Sequence, residues 1–272
     1  MKTRPRRQPR NRRRQGIRVH LTERDELLLH ALARFRLART SDLLDYAFAG
    51  VRRDTGIARL RRLFDTKHLA VLPPRQGAEN VYRLGPAGCR FLREQGVEMG
   101  RVPRGGLEHH LGVVGAWIAL AGIQEMGLER CLPDWELREH FTVPDLPVIP
   151  DLFALVRFGE SVYALAVEVD RGTENVSVLG RKLEVYRSRW GRPPGLFGYE
   201  RFGIVVVSYG PARRSGLSAT IKKAWVVPCV LWEGGESPRA VLLKLFEEMA
   251  GPLMGSPYLK GSLAATMGRS DG

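Results

Sequence analysis

The hydrophobic positions of this chain change period along its length, and the change divides it. From Leu21 they fall at helical spacing: Leu27, Leu28, Ala31, Leu32 and Phe35 form one stripe. Thr22 followed by Asp25 is an N-cap signature, so a first helix over 22–36 is expected. A second, short helix follows from Thr40 or Ser41 to Tyr46 or Phe48, with Leu43, Leu44 and Ala47 turned inward. The third spans about 54–68 and buries Ile57, Leu60, Leu63 and Phe64, which leaves Arg52, Thr55, Arg59, Arg62 and Thr66 together on another face. Two short apolar runs around a Pro-Pro-Arg-Gln-Gly-Ala-Glu-Asn tip then read as a hairpin, and Pro86 opens a helix to about Gln95.

Beyond Gly106 the pattern is mixed. An apolar helix is expected over Leu107–Gly127, then strands over Trp135–Val143, Leu152–Phe158 and Val162–Val169, the last two joined by a tight turn at Gly159–Ser161. A helix over Val176–Trp190, a strand over Ile204–Tyr209, a basic helix over Ser215–Ala224 and an apolar run over Val226–Trp232 complete the order. Pro228 marks that last strand as an edge or a bulge, since it cannot donate to a ladder. The domain expectation is a disordered basic arm (1–16), a winged helix-turn-helix (17–96), a linker (97–106) in which four residues are Gly or Pro, a second domain (107–250) and a flexible tail (251–272).

Charge sharpens this division. The chain of 272 residues carries a net +14, yet residues 1–100 hold 23 bases and 10 acids while the remainder holds 20 and 19. Clustered cations on one module point to a polyanion, because neutralising a phosphate backbone releases condensed counterions. A helical triplet, a hairpin and a closing helix, with the third helix cationic on its free side, is the element order of a winged helix-turn-helix. Double-stranded DNA is the expected partner, with Arg52, Arg53, Thr55, Arg59, Arg61, Arg62 and Lys67 on or beside the third helix and Arg75 at the wing tip. A solvated charged face is the alternative, and an RNA partner is disfavoured by the winged order.

Three cysteines, Cys89, Cys131 and Cys229, have neither disulfide nor zinc spacing. The longest uncharged stretch, Leu111–Gln124, falls short of the roughly 20 apolar residues a bilayer crossing needs, so no membrane partner is expected. A cytoplasmic place, associated with nucleoid or plasmid, follows.

Three acids sit where strands begin or end. Asp151 follows Pro150, while Glu168 and Asp170 close the partner strand of the same hairpin on one side of it. Converging carboxylates of this kind bind Mg²⁺ or Mn²⁺, and Lys182 on the next helix is placed to hold an attacking water or a phosphate oxygen. Asp151, Glu168, Asp170 and Lys182 are therefore the candidate catalytic set, the three acids the candidate metal ligands, and no organic cofactor is indicated. Capping or turn roles for the same acids remain open. Tyr186 is assigned to packing, because a relaxase tyrosine of the HUH type works beside a spaced histidine cluster and His109 and His110 are adjacent. Glu108 is a further candidate acid, and Arg213, Arg214, Lys222 and Lys223 a second phosphate contact or a solvated face.

On Pro150-Asp151, Glu168-Val169-Asp170 and Lys182 within an αβββαβ order, the second domain resembles the restriction-endonuclease-like PD-(D/E)xK fold with a mixed central sheet. In that fold the third element is usually Glu-x-Lys, and here Asp170 stands at the Lys position, so Lys182 takes over from the helix or the chemistry is lost. The string Glu168-Val169-Asp170-Arg171-Gly172-Thr173-Glu174 with Lys182 and Tyr186, behind a winged helix, resembles the replication-relaxation family of plasmid and mobile-element proteins. That resemblance implies a DNA role in replication or relaxation without settling an activity, while the nuclease-like resemblance of the second domain implies metal-dependent phosphodiester nicking. The alternative is a non-enzymatic regulator or accessory factor with a degenerate nuclease fold, acting as a homodimer or beside replication or mobilisation proteins.

Overall fold

The computed structural model describes residues 13–73, 78–101, 106–140, 148–172, 176–209, 214–223, 227–233 and 236–249. It divides into two compact units, Met1–Val114 and Gly115–Gly272.

In the first unit, α1 (Glu23–Phe35), α2 (Thr40–Ala47) and α3 (Arg53–Asp65) surround a small core, and α4 (Pro86–Glu94) closes it. Three short strands, β1 (Ala38–Arg39), β2 (Leu69–Val71) and β3 (Val81–Leu84), form an antiparallel sheet in the order β1-β3-β2. α1 starts as its sequence requires: the backbone N–H and the hydroxyl of Thr22 both donate to Asp25 Oδ2 at 2.8 Å. α2 is fixed differently from the expected Thr40 or Ser41 cap. Asp42 accepts the N–H of Arg39, and Glu79 accepts the N–H and hydroxyl of Ser41.

Leu28, Leu29, Leu43, Leu60, Leu63, Leu69 and Leu92 are fully excluded from solvent and make the centre of the unit. Two residues of the expected stripes are outside it: Leu27 is 44% and Ile57 41% exposed. The reason lies at Gly56, where an added Cβ would stand 2.4 Å from Leu44 Cδ2. α3 approaches α2 on its Gly56–Leu60–Leu63 line, which rotates Ile57 out. Leu27 lies on the far side of α1 from the Leu28–Leu32 stripe. Gly85 and Gly88 allow α4 to press on the turn after α3, since a Cβ there would meet the carbonyls of Lys67 and His68 at 2.3 and 2.4 Å.

The second unit begins within α5 (Leu107–Ala121) and contains β4 (Gly127–Pro133), α6 (Asp134–His140), β5 (Leu152–Phe158), β6 (Ser161–Asp170), α7 (Val176–Arg189), β7 (Gly203–Ser208), α8 (Arg214–Lys223), β8 (Cys229–Glu233) and α9 (Pro238–Glu248). Its sheet runs β4-β5-β6-β7-β8; the first three strands form an antiparallel meander, and β6, β7 and β8 are parallel. Alternate residues of each strand serve opposite faces. Phe153, Leu155, Ala164, Ala166, Ile204 and Val206 pack with Leu183 and Tyr186 of α7 and Leu217 of α8. On the other face Phe246 of α9 stacks on Tyr163 at 4.0 Å, and Gly203 leaves room for Leu245 and Met249. With both faces covered, β5, β6 and β7 read as almost unbroken apolar runs.

Two expectations differ from the structure. The strand expected over Trp135–Val143 is instead β4 at Gly127–Pro133 followed by α6, and residues 141–147 lie outside those described. Asp134 and Glu136 occupy the first turn of α6, where the helix dipole favours acids, and the Asp134 N–H is bound by the Asp151 carbonyl at 3.0 Å. The helix expected to reach Gly127 stops at Ala121, which frees that residue to begin β4. α9 (Pro238–Glu248) is a further helix beyond the predicted elements. β8 does lie at a sheet edge, starting directly after Pro228, whose carbonyl accepts the Ile204 N–H at 2.9 Å.

Phe153 meets Phe197 and Tyr199 at ring distances of 4.8 and 5.9 Å and is 1% exposed. Phe153→Ala is expected to lower unfolding stability by about 3–5 kcal/mol in urea titrations, and Leu27→Ala by less than about 0.5 kcal/mol. Equal losses would contradict this placement of the two side chains.

Candidate functional site

Asp151 stands one residue before β5, in a strand pair whose register sets Leu152 opposite Val167. Its Oδ2 accepts the Val169 N–H at 2.7 Å, so the carboxylate is fastened to the last turn of the β6 ladder. Glu168 of β6 faces α7 by strand alternation. Lys182 and Tyr186, four residues apart on α7, reach it together. The Lys182 ammonium donates to Glu168 Oε2 at 2.5 Å and to Asp151 Oδ1 at 3.4 Å, while the Tyr186 hydroxyl donates to Glu168 Oε1 at 2.5 Å. Glu168 and Tyr186 are almost wholly buried, Asp151 is 9% exposed, and the Lys182 side chain keeps 29% of its surface in solvent. One cation thus bridges two buried carboxylates and faces outward.

These neighbours set the protonation. Burial, and then the nearby Asp151 charge, push the Glu168 carboxyl up to about 8 against the partial opposition of Lys182 and Tyr186. With its proton on Glu168, the set of two acids and one lysine is electrically neutral. Burial works against the Lys182 charge, but the two carboxylates outweigh it and hold the ammonium above its ordinary range. Burial and the Glu168 charge raise the Tyr186 hydroxyl well above its ordinary value, which keeps it a donor and an unsuitable nucleophile.

Asp170, the third expected ligand, does something different. Its Oδ1 accepts the N–H of Gly172 at 3.2 Å, a local turn at the exit of β6 that Gly172 enters at φ 77°. Among the described residues no group of three His, Cys, Asp or Glu side chains is arranged to hold a metal ion. The donor set that remains is Asp151 and Glu168. Because both oxygens contact one ammonium, they are at most 5.9 Å apart. Hard carboxylate oxygens suit Mg²⁺ or Mn²⁺ in kind, but Lys182 must yield part of its contact before both reach one ion. Tyr186, expected to pack on the sheet, does so against Phe202 in the core, and its hydroxyl in addition reaches Glu168, a contact that its spacing of four from Lys182 could have signalled.

In the first unit the expected DNA contacts separate into two groups. Arg52, Arg53, Thr55, Arg62 and Lys67 are exposed. Arg59 instead binds the buried carboxylate of Asp25 through both Nε and Nη2 and also donates to the His20 carbonyl at 2.7 Å. Arg61 pairs with Asp65 at 3.1 Å and lies 5.2 Å from the Phe64 ring centre. Arg75, Glu174 and Arg213 lie outside the described residues, as do the side chains of Arg214 and Lys223, and Lys222 is exposed. Glu108 pairs with Arg39 at 3.3 Å, and His110 is buried with Nε2 2.6 Å from the Phe35 carbonyl.

The profile of a family described as replication-relaxation matches residues 29–196. The chain belongs to the replication-relaxation family. The matched span runs from α1 past the end of α7, so it contains α3 and all of Asp151, Glu168, Asp170, Lys182 and Tyr186. Comparison with curated proteins and with solved structures gives no match. Membership of the replication-relaxation family supports a role in plasmid or mobile-element replication or relaxation. No described helix is long and apolar enough to cross a membrane.

The protonation pattern gives a pH test. The folded protein holds the Glu168 proton up to about 8 and the unfolded chain releases it near 4.5, so between those values the folded state binds more protons and loses stability as pH rises. Glu168→Gln removes that titration. Urea midpoints of this variant relative to wild type should therefore rise as pH goes from about 5 to 8.5. A difference that does not change with pH would refute the assignment.

Proposed function

We propose that this protein binds duplex DNA during plasmid or mobile-element replication or relaxation, and that its second unit is a nuclease-like domain of the PD-(D/E)xK type carrying a phosphodiester-nicking site. The observation that carries the reading is the convergence of Asp151, Glu168 and Lys182 from a strand entrance, a strand interior and the following helix onto one point. An antiparallel meander, a helix and a parallel strand in that order also support the nuclease-like fold. Three helices with a small antiparallel sheet support a winged helix-turn-helix in the first unit.

In this reading the exposed face of α3 enters the major groove, with Arg52, Arg53, Thr55 and Arg62 reaching bases or phosphates and Lys67 flanking them. Asp151 and Glu168 would hold a divalent ion, Mg²⁺ or Mn²⁺, which when bound activates water and neutralises phosphate charge. Lys182, the exposed member, orients the attacking water or a phosphate oxygen. Tyr186 fixes the carboxylate of Glu168 from behind. Arg59 and Arg61 are supports of α3 and not readers of sequence.

A second reading has its own observation. Glu168 is closed in by Lys182 and Tyr186, and Asp170 is committed to the Gly172 turn. A nuclease fold retained as a docking or dimerisation module, in a non-enzymatic regulator or replication accessory factor, would tolerate such closure.

The DNA-binding part is tested by fluorescence anisotropy on duplexes carrying the native site. Arg52→Ala combined with Arg53→Ala should weaken binding by at least about tenfold, whereas Asp151→Ala should leave it unchanged. Undiminished affinity in the arginine double variant would remove α3 as the reading element.

A further inference from the structure

α3 carries an apolar step on its free side. Gly56, Leu60, Leu63 and Phe64 are its buried line, and the close approach of Gly56 to Leu44 fixes the rotation that turns the opposite side to solvent. Side chains four apart stack in lines along a helix. Two such lines run side by side on the free face, Arg53–Ile57–Arg61 and Asp54–Ala58–Arg62. Ile57 and Ala58 are the middle members, and both are exposed. A charged residue precedes each by one turn, and an arginine follows each by one turn. Arg53, Asp54 and Arg62 are exposed as well, while Arg61 is drawn to Asp65 at 3.1 Å. The step is thus an uncharged patch, one turn long, inside a charged frame.

Among the described residues three large apolar side chains stand exposed, Leu27, Ile57 and Tyr209, and of these Ile57 alone lies on α3, at 41% exposure. Stability does not account for it. A β-branched side chain gives up rotamer freedom in a helix, and here it gains little burial in return. The setting suits a base edge instead. In the major groove thymine presents a methyl group at C5, which small aliphatic side chains meet by apolar contact. Recognition helices of the helix-turn-helix type put their N-terminal residues against those edges. Ile57 is fifth and Ala58 sixth in α3, so both lie in its first two turns. The short side chain of Ala58 lets the helix backbone come close, and Ile57 projects methyl groups. We propose that Ile57, with Ala58 beside it, reads the C5 methyl of thymine and is the specificity-determining contact of α3. This rests on the duplex-binding reading above and adds to it a base preference. The arginines of the same face carry charge that the phosphates of any sequence satisfy. Ile57 carries none, so it acts on the choice among sequences and not on salt dependence.

The test uses the full chain to select duplexes from a random-sequence pool. The enriched duplex is then rebuilt with deoxyuridine in place of thymidine, one position at a time, which removes only the C5 methyl. Affinities are read by fluorescence anisotropy at one salt concentration. At one thymine position or more the wild type should lose about fourfold, the worth of one apolar carbon removed from water. Ile57→Ala should bind the thymine and uracil duplexes alike, both about as weakly as the wild type binds the uracil one. Ile57→Val, which keeps two methyl groups, should retain part of the preference. Ile57 is exposed, so Ile57→Ala keeps its fold, which the urea midpoint checks. An enriched duplex that tolerates deoxyuridine at every position would overturn the thymine contact, as would an Ile57→Ala variant that keeps the full uracil penalty. Enrichment of no sequence, with binding that still depends on Arg52 and Arg53, would overturn the base preference and leave α3 as a contact of phosphates. A full chain that binds no duplex would overturn both readings.

Discussion

The bridge from Lys182 to Asp151 and Glu168 is the interaction on which the second unit's site depends. Two carboxylates excluded from water repel one another, and desolvation of each is costly unless a cation or a proton compensates. The ammonium, arriving from the second turn of α7, supplies part of that compensation, and the proton retained by Glu168 supplies the rest. The geometry needs the particular topology found here. Asp151 stands just before β5, near the end of β6, and α7 crosses back over the sheet before the parallel strand β7. Lys182 and Tyr186 then land on the face to which Glu168 points, and Tyr186 packs edge-on to Phe202 while its hydroxyl reaches inward.

The first unit repeats the principle with different residues. Asp25 is fully buried at the start of α1, and burial alone would raise its carboxyl. The hydrogen bonds from Arg59 and Thr22 outweigh this and hold it below its ordinary value. A cation that looks available for DNA in a helical projection is therefore part of what fixes α3 against α1. In both units charge at the candidate surface is divided between groups the fold consumes and groups it leaves to solvent, and only the second set is free to meet phosphate. Arg59 belongs to the first set, and Arg52 and Arg53 to the second.

Much of this arrangement was legible in the sequence, for identifiable reasons. β5 and β6 stand out because a sheet covered on both faces forces long apolar runs, and α1 because Thr22 and Asp25 announce its start. Asp151, Glu168 and Lys182 were legible as neighbours because a hairpin aligns its strand ends and the following helix packs back over them. The failures share one cause, which is that tertiary partners override local pattern. Trp135–Val143 alternates well enough for a strand, yet acids at its start and the Asp151 carbonyl favour α6. Ile57 fits the helical stripe but loses its place to Gly56, whose missing side chain admits Leu44. No local spacing reveals that Arg59 has a buried acid 34 residues away, or that Asp170 turns to Gly172 and not toward Lys182.

The most direct test of the central claim is nicking of supercoiled plasmid in Mg²⁺ or Mn²⁺ by the full chain and by Asp151→Ala and Lys182→Met prepared alongside it. Metal-dependent conversion to open circles by the wild type, lost in both variants while their duplex binding persists, is the result this account predicts. Tight duplex binding by the wild type with no conversion under either metal would contradict the nicking site and leave the Asp151–Lys182–Glu168 bridge as a structural element of a binding protein.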